Sequence, residues 1–418
     1  MIQHIFKIIG NQWKNNLWIV LELFIAITLI WYIVDYFSIM YITSRTPVGF
    51  DIKDTYIINV ANYQSDNPNY IAYEKDSEEP ALNYLRIIER IKNYPDIIGV
   101  SVGEWHFPYC RSNSTDRYRR DSLKTNAQIL FITPAYFDVF KVAPYGGGNP
   151  DQLGEAFQKG IIISYTMKEK LFPDTQGTGQ IILNDDSTES YKIAAISNPI
   201  KDYIFRRPGN YIYLPFKEQT LMGKDEQTIN QETEICIRSH PDSKNKDFAL
   251  SLKKEMQTQL NIGNYYLAGV TPISKLRDER FRAYGVYENT QHRTGFTLFF
   301  LFNVFLGVIG TCWLRVKKRK EEIGVRIAMG SSKQNIMKQM ILESIMLLFI
   351  ATVPAVIIWI NLLYLDILPT KDADLNLQRF LLNTFFTLCP LVLVILLATW
   401  YPARYSANIQ PAEALHYE

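Results

Sequence analysis

Residues 295–314 read GFTLFFLFNVFLGVIGTCWL, twenty residues without one charge. As a helix they reach about 30 Å, the hydrocarbon thickness of a bilayer. A soluble core does not call for so long an unbroken apolar run, so this stretch predicts a membrane span. Residues 17–41, 341–365 and 380–401 have the same character. The chain as a whole is 47% hydrophobic and 21% charged, values ordinary for a folded protein. That average hides a contrast with residues 45–290, which are mixed and polar.

The flanking charges orient the four spans. Residues 1–16 carry Lys7 and Lys14 and no acid, and residues 315–338 carry eight Lys or Arg against two Glu. Residues 366–380 carry Lys371 and Arg379 against Asp366, Asp372 and Asp374. Basic segments stay in the cytoplasm. This predicts a cytoplasmic N-terminus (1–16), an outer domain (45–290), a cytoplasmic segment (315–340), a short outer loop (366–379) and a cytoplasmic tail (402–418). The first span is too long for a signal-peptide core and no A-x-A site comes after it, so it reads as an uncleaved anchor. Glu22 and Asp35 lie near its ends, where headgroup depth is the plain expectation and a polar contact inside a helix bundle the sharper one. The positive-inside rule accounts for Arg315, Lys317, Lys318, Arg319 and Lys320. It does not account for the adjoining residues 321–332, EEIGVRIAMGSS.

That stretch has helical spacing through Ile323 and Ile327. Gly330 is placed to end a short helix, and Ser331 with Gln334 fits a capping box opening the next. Two short helices with a tight turn would make a rigid protrusion at the membrane surface. Here the chain resembles a family. Glu322, Ile323, Gly324, Arg326, Ala328, Gly330 and Ser332, placed after a membrane helix, look like the signature of MacB/FtsX-type ABC transporter permeases. The ending YPARYSANIQPAEALHYE is similar to that family's ending, through Pro402, Ala403, Arg404, Pro411, Glu413, Ala414, Leu415, Tyr417 and Glu418. Ile327 stands where the family usually has a basic residue.

In the outer region DTYIINVANY, ALNYLRIIERIKN and DIIGVSVGEW read as strand, helix and strand, and ETEICIRSH, DFALSLKKEMQTQL and NYYLAGVTPI repeat that order. Two such units commonly share one mixed sheet. A β-rich insertion is expected between them, at about 150–228. FITPAYFDVFKVAPYGGG and KLFPDTQGTGQIIL are similar to the family's extracytoplasmic domain. The expected fold class is therefore an α-helical membrane protein with four transmembrane helices (1+3) plus a large α+β extracytoplasmic domain of porter-like βαβ repeats with a β-rich insertion. A helix Ser274–Thr290 is expected to run into the second span.

The region offers little chemistry. No G-x-x-x-x-G-K-[ST], G-x-S-x-G or H-E-x-x-H occurs. His106 and Cys110 form a lone H-x3-C, read as ordinary loop residues rather than metal ligands. Cys110 and Cys236 could meet as a disulfide in an oxidising compartment, free buried thiols being the plainer reading. No catalytic, cofactor-binding or metal residue is assigned. No basic stripe with aromatics suggests nucleic acid.

The resemblance implies a permease subunit without enzyme activity of its own, in a bacterial inner membrane, with ATP-Mg bound by a separate ABC ATPase subunit rather than a fused one. It implies a second permease chain, homodimeric or heterodimeric, and surrounding membrane lipid. Where an outer membrane is present, a periplasmic adaptor and an exit duct are expected as well. Efflux of peptides, antibiotics or lipoproteins is the expected work. The alternative is an FtsX-like complex that activates a wall hydrolase or relays a signal without transport. A membrane-anchored binding protein with no ATPase is a further rival, against which the cytoplasmic motif argues.

Overall fold

The computed structural model describes residues 9–11, 13–74, 76–110, 114–241, 247–365, 373–374 and 376–408. It divides into an outer unit, Thr46–Val286, and a helical unit formed by Met1–Arg45 with Tyr287–Glu418. In chain order the first elements are α1 (Trp13–Arg45), β1 (Thr55–Asn62), α2 (Glu79–Lys92), β2 (Ile97–Glu104), β3 (Ser114–Arg120), β4 (Leu123–Ile132), α3 (Tyr136–Val139) and α4 (Asp151–Phe157). Then come β5 (Ile161–Ser164), α5 (Tyr165–Leu171), β6 (Ile181–Asn184), β7 (Ser190–Ser197), β8 (Tyr211–Pro215), α6 (Glu226–Glu232), β9 (Thr233–Ser239), α7 (Phe248–Met256) and β10 (Tyr265–Pro272). The chain closes with α8 (Ile273–Ala283), α9 (Val286–Lys318), α10 (Lys320–Ala328), α11 (Lys333–Tyr364) and α12 (Leu377–Ala407).

The two β-α-β units of the outer domain interleave. Their sheet runs β10-β1-β9-β2, with β1 antiparallel to β10 and β9, and β9 antiparallel to β2. This is the split βαβ arrangement. Successive side chains on a strand point to opposite faces, and the core divides accordingly. Ile58, Ile235 and Ile237 face α2 and α7, meeting Tyr84, Ile87, Leu252 and Met256. Their neighbours Ile57 and Cys236 face the other way, toward Tyr136, Phe137 and Phe140.

The insertion begins earlier than expected. Strands β4-β3-β6-β7-β5-β8 lie side by side in that order, and β8 returns to pair with β4, so six strands close into a barrel. A closed barrel leaves no open edge. Its interior holds Tyr118, Ile129, Ile163, Ile182, Ile193 and Ile212. The hairpin β3–β4, RYRRDSLKTNAQILF, lies before the expected start at 150 and still belongs to the barrel, because alternation in β3 is masked by charge. Only Tyr118 of that strand is buried.

Four helices, Asn16–Arg45, Val286–Lys318, Lys333–Tyr364 and Leu377–Ala407, are long and apolar enough to cross a membrane. Each runs past the apolar stretch expected from the sequence. Helices α1, α11 and α12 pack around Trp31 and Trp359, which stack at 4.7 Å and are fully buried. Helix α9 buries only Val304, Val308, Cys312 and Val316, a single stripe at i, i+4 spacing. Proline at 354 and 390 does not interrupt its helix. The helix expected over Ser274–Thr290 is two helices. Tyr284 caps α8, and Gly285 takes a φ of 64°, a left-handed turn glycine adopts without strain.

The bundle corrects two readings of charge. Asp35 is 1% exposed and accepts from Arg379 Nε at 2.9 Å and Nη2 at 2.7 Å, and from Asn383 Nδ2 at 2.6 Å. It is a bundle contact, and Arg379 is its partner rather than a loop charge. Glu22 is half-buried over Gly307, in a groove of about 450 Å³ between α1 and α9 lined also by Trp18, Ile25, Phe300 and Asn303.

Candidate coupling site

The signature residues Glu322–Ser332 form α10 and the turn after it. The helix ends in a Schellman motif. Gly330 N–H donates to the Ile327 carbonyl at 3.0 Å, and Ser331 N–H to the Arg326 carbonyl at 2.9 Å. This geometry requires the φ of +92° that Gly330 adopts. Ser331 is thereby used in ending α10. The cap of α11 is Ser332, not Ser331, and its hydroxyl accepts from Asn335 N–H at 3.3 Å.

Within α10 the signature separates into an inner and an outer face. Ile323 and Gly324 are buried, and Arg326 is half-buried. Glu322, Ala328 and Gly330 lie toward the outside, as do two exposed apolar side chains, Val325 at 47% and Met329 at 84%.

The inner face is anchored by a polar chain. Glu322 accepts from Arg326 Nη2, an i,i+4 pair, and Arg326 Nη1 donates to Gln339 Oε1 at 2.8 Å. Gln339 Nε2 in turn donates to Glu343 Oε1 at 3.1 Å. Arg319 Nη1 reaches both oxygens of Glu343, at 3.0 and 3.1 Å. The Arg319 and Glu343 side chains are 12% and 3% exposed, so removing Arg319 takes the counter-charge from a buried carboxylate, at about 3–5 kcal/mol. A cavity of about 30 Å³ lies among Arg315, Arg319, Arg326 and Glu343. Arg319 thus does more than satisfy the positive-inside rule: it ties the segment to α11. Sequence reasoning assigns Gln339 and Glu343 no part in this site. Their only sequence signal is a polar pair four residues apart at the head of an apolar run.

The C-terminal motif lies nearby within the helical unit. Pro402 and Ala403 are buried in α12, and exposed Arg404 stacks over Trp400 at 5.4 Å. Ser406 Oγ contacts Met340 Sδ at 3.0 Å, and Lys333 Nζ donates to Asn408 Oδ1 at 2.8 Å. Pro411, Glu413, Ala414, Leu415, Tyr417 and Glu418 lie outside the described residues.

No group of three or more His, Cys, Asp or Glu among the described residues is placed to hold a metal ion. His106 and Cys110 both turn to Glu234, at 3.3 and 3.7 Å. Cys110 and Cys236 keep their thiols and are not bonded to each other.

Four apolar helices, a split βαβ domain with an inserted barrel and an anchored surface helix define a permease-type membrane protein with a large extracytoplasmic domain. Two family models match it: the FtsX-like permease C-terminal model over residues 294–411, and the MacB-like periplasmic core domain over residues 36–255, more than half of the chain. The chain belongs to the MacB/FtsX-type ABC transporter permease family. It is 23% identical over 269 residues to the macrolide export ATP-binding/permease protein MacB of Campylobacter jejuni, a match that covers 62% of this chain and 39% of that one. The chain therefore spans well under half the length of that relative. Among solved structures it is similar to the extracellular domain of the noncanonic ABC-type transporter YknZ from Gram-positive bacteria. That match has a TM-score of 0.30 at 17% identity, over 50% of this chain and 98% of that one. It is also similar to the periplasmic region of MacB from Actinobacillus actinomycetemcomitans, with a TM-score of 0.33 at 11% identity, over 55% and 92%.

Proposed function

We propose that this chain couples ATP hydrolysis by an ABC ATPase subunit to movement of its extracytoplasmic domain. The reading rests on one observation: a short helix, ended by a Schellman motif and tied to a membrane helix through Arg326–Gln339–Glu343–Arg319, presents Val325 and Met329 outward. Exposed apolar side chains on a basic surface mark a place for a protein partner. A helix held by buried polar bonds passes a push to α11, whereas a loose loop would absorb it.

In this reading two permease chains pair with two ATPase subunits carrying ATP-Mg. The protein sits in a bacterial cytoplasmic membrane with both termini inside, as the Lys and Arg distribution supports. The work is export of peptides, antibiotics or lipoproteins from the outer side, through an adaptor and exit duct where an outer membrane exists. The buried Asp35 and Arg379 neutralise each other, which supports mechanical transmission over a hydrophilic path through the bundle.

The test is Met329→Glu and Val325→Glu in membranes that also contain the cognate ATPase. Loss of ATPase co-purification and stimulation, with normal membrane insertion, is expected. Unchanged coupling in both variants would refute docking at α10. Recovery of the ATPase together with a wall hydrolase or a sensor kinase would replace export by regulation.

A further inference from the structure

The outer unit holds a second site, independent of the coupling segment. Arg280 on α8 is 6% exposed. A guanidinium carries five N–H donors and does not lose its proton in proteins. Nη2 donates to the Tyr284 hydroxyl at 2.9 Å, and the Tyr284 ring lies 5.1 Å from the guanidinium carbon. Nε and Nη1 have no partner among the described residues. Buried donors are almost always satisfied, and a buried charge above all. Among the described residues this buried cation is left short of acceptors, which calls for a group from outside them.

Arg280 lines a cavity of about 40 Å³, together with Lys201, His106, Tyr211, Trp105 and Asp202. Lys201 is 1% exposed, and its Nζ donates to the carbonyls of Thr46 at 3.0 Å and Ile204 at 3.4 Å. Burial lowers the pKa of Lys201 from its ordinary value. Asp202 is paired with Arg206 at 2.9 Å. Among the described lining residues Asp202 is the one carboxylate and it is already matched, so the Arg280 guanidinium gives the cavity a preference for an anion. A single water needs roughly 10–15 Å³ of such space, so the cavity takes a small anionic group, and a carboxylate fits it. Half-buried Trp105 and Asp202 in the lining leave a way out for whatever the carboxylate is attached to.

We propose that this cavity binds a single carboxylate group, held by Arg280 between α8 and the Lys201 loop. The group belongs either to a small free acid or to the end of a longer chain.

The test uses the full chain in detergent and follows the thermal midpoint of the outer unit. Sodium formate, N-acetylalanine and its uncharged amide are titrated against sodium chloride at matched ionic strength. Formate is expected to raise the midpoint where chloride does not, by about 3–6 °C per tenfold once above its dissociation constant. A rise with N-acetylalanine but not with the amide identifies a chain end, and a rise with formate alone identifies a small acid. Arg280→Met is expected to abolish the rise, and Arg280→Lys to weaken apparent affinity at least tenfold. Should Arg280→Met fail to fold, the wild-type titration and Arg280→Lys still decide. Equal shifts from formate and chloride, no shift at all, or an undiminished shift in Arg280→Lys would each overturn the proposal.

Discussion

Replacing Asp35 by alanine removes the acceptor of three hydrogen bonds, two of them from the Arg379 guanidinium. Arg379 keeps one bond, Nη1 to the Ala373 carbonyl at 2.7 Å. Its side chain is 2% exposed, so the freed charge has no route to water. Stranding a buried charge in this way costs about 3–5 kcal/mol. Replacing both partners, Asp35→Leu with Arg379→Met, removes the charge as well as the pair and should recover most of that loss, leaving about 1–3 kcal/mol for the buried Asn383 amide that loses its acceptor. The two single losses are therefore strongly non-additive. Equilibrium unfolding of the full chain in micelles measures this, with the stacked Trp31 and Trp359 of the same bundle as fluorescent reporters. A loss below about 1 kcal/mol for Asp35→Ala, or a double variant as unstable as the sum of the singles, would refute the account of a closed buried pair.

Three further outcomes are expected. Nothing crowds Gly330, so Gly330→Ala costs only the left-handed backbone, about 1–2 kcal/mol, with Gly330→Asn in between. Faster hydrogen exchange at the amides of residues 330 and 331 checks it. Since Glu322 and Arg326 pair with each other, Arg326→Glu should weaken α10, and adding Glu322→Arg should recover about 0.3–0.5 kcal/mol. Absence of any recovery in a thermal scan would mean the pair does not form. In the outer unit, burial and then a hydrogen bond with Asp151 push the Asp138 carboxyl up to about 6. Folding thus favours its protonated form. The stability it adds is full below about pH 4 and is lost as pH rises through about 6. Asp138→Asn should flatten the thermal midpoint between about pH 4 and 7, and an unaltered slope would count against this assignment.

Much of the architecture was legible because its signals are local. An uncharged run of twenty residues has few outlets but a bilayer, and the signature EIG-x-R-x-A-x-G-x-S is contiguous. The β-α-β order repeats visibly, since helix and strand periods differ. The extent of the insertion was not legible. Strand β3 carries four charged residues among seven and becomes a barrel stave only because β4 and β6 pair with it.

The candidate site divides along the same line. Its position came from the order of residues, as did the left-handed turn at Gly330. Which side chains anchor α10 and which face outward depended on Gln339 and Glu343, a helix away. Asp35 and Arg379 are 344 residues apart, and each alone looks like a charge near the end of a span. Hydropathy and charge bias are sums over neighbours along the chain, so sequence alone determined the spans, the signature helix and the repeat. Pairing between distant charges depends on which helix faces meet, so only the tertiary structure decided that the ion pairs are buried and that two nitrogens of Arg280 lack partners among the described residues.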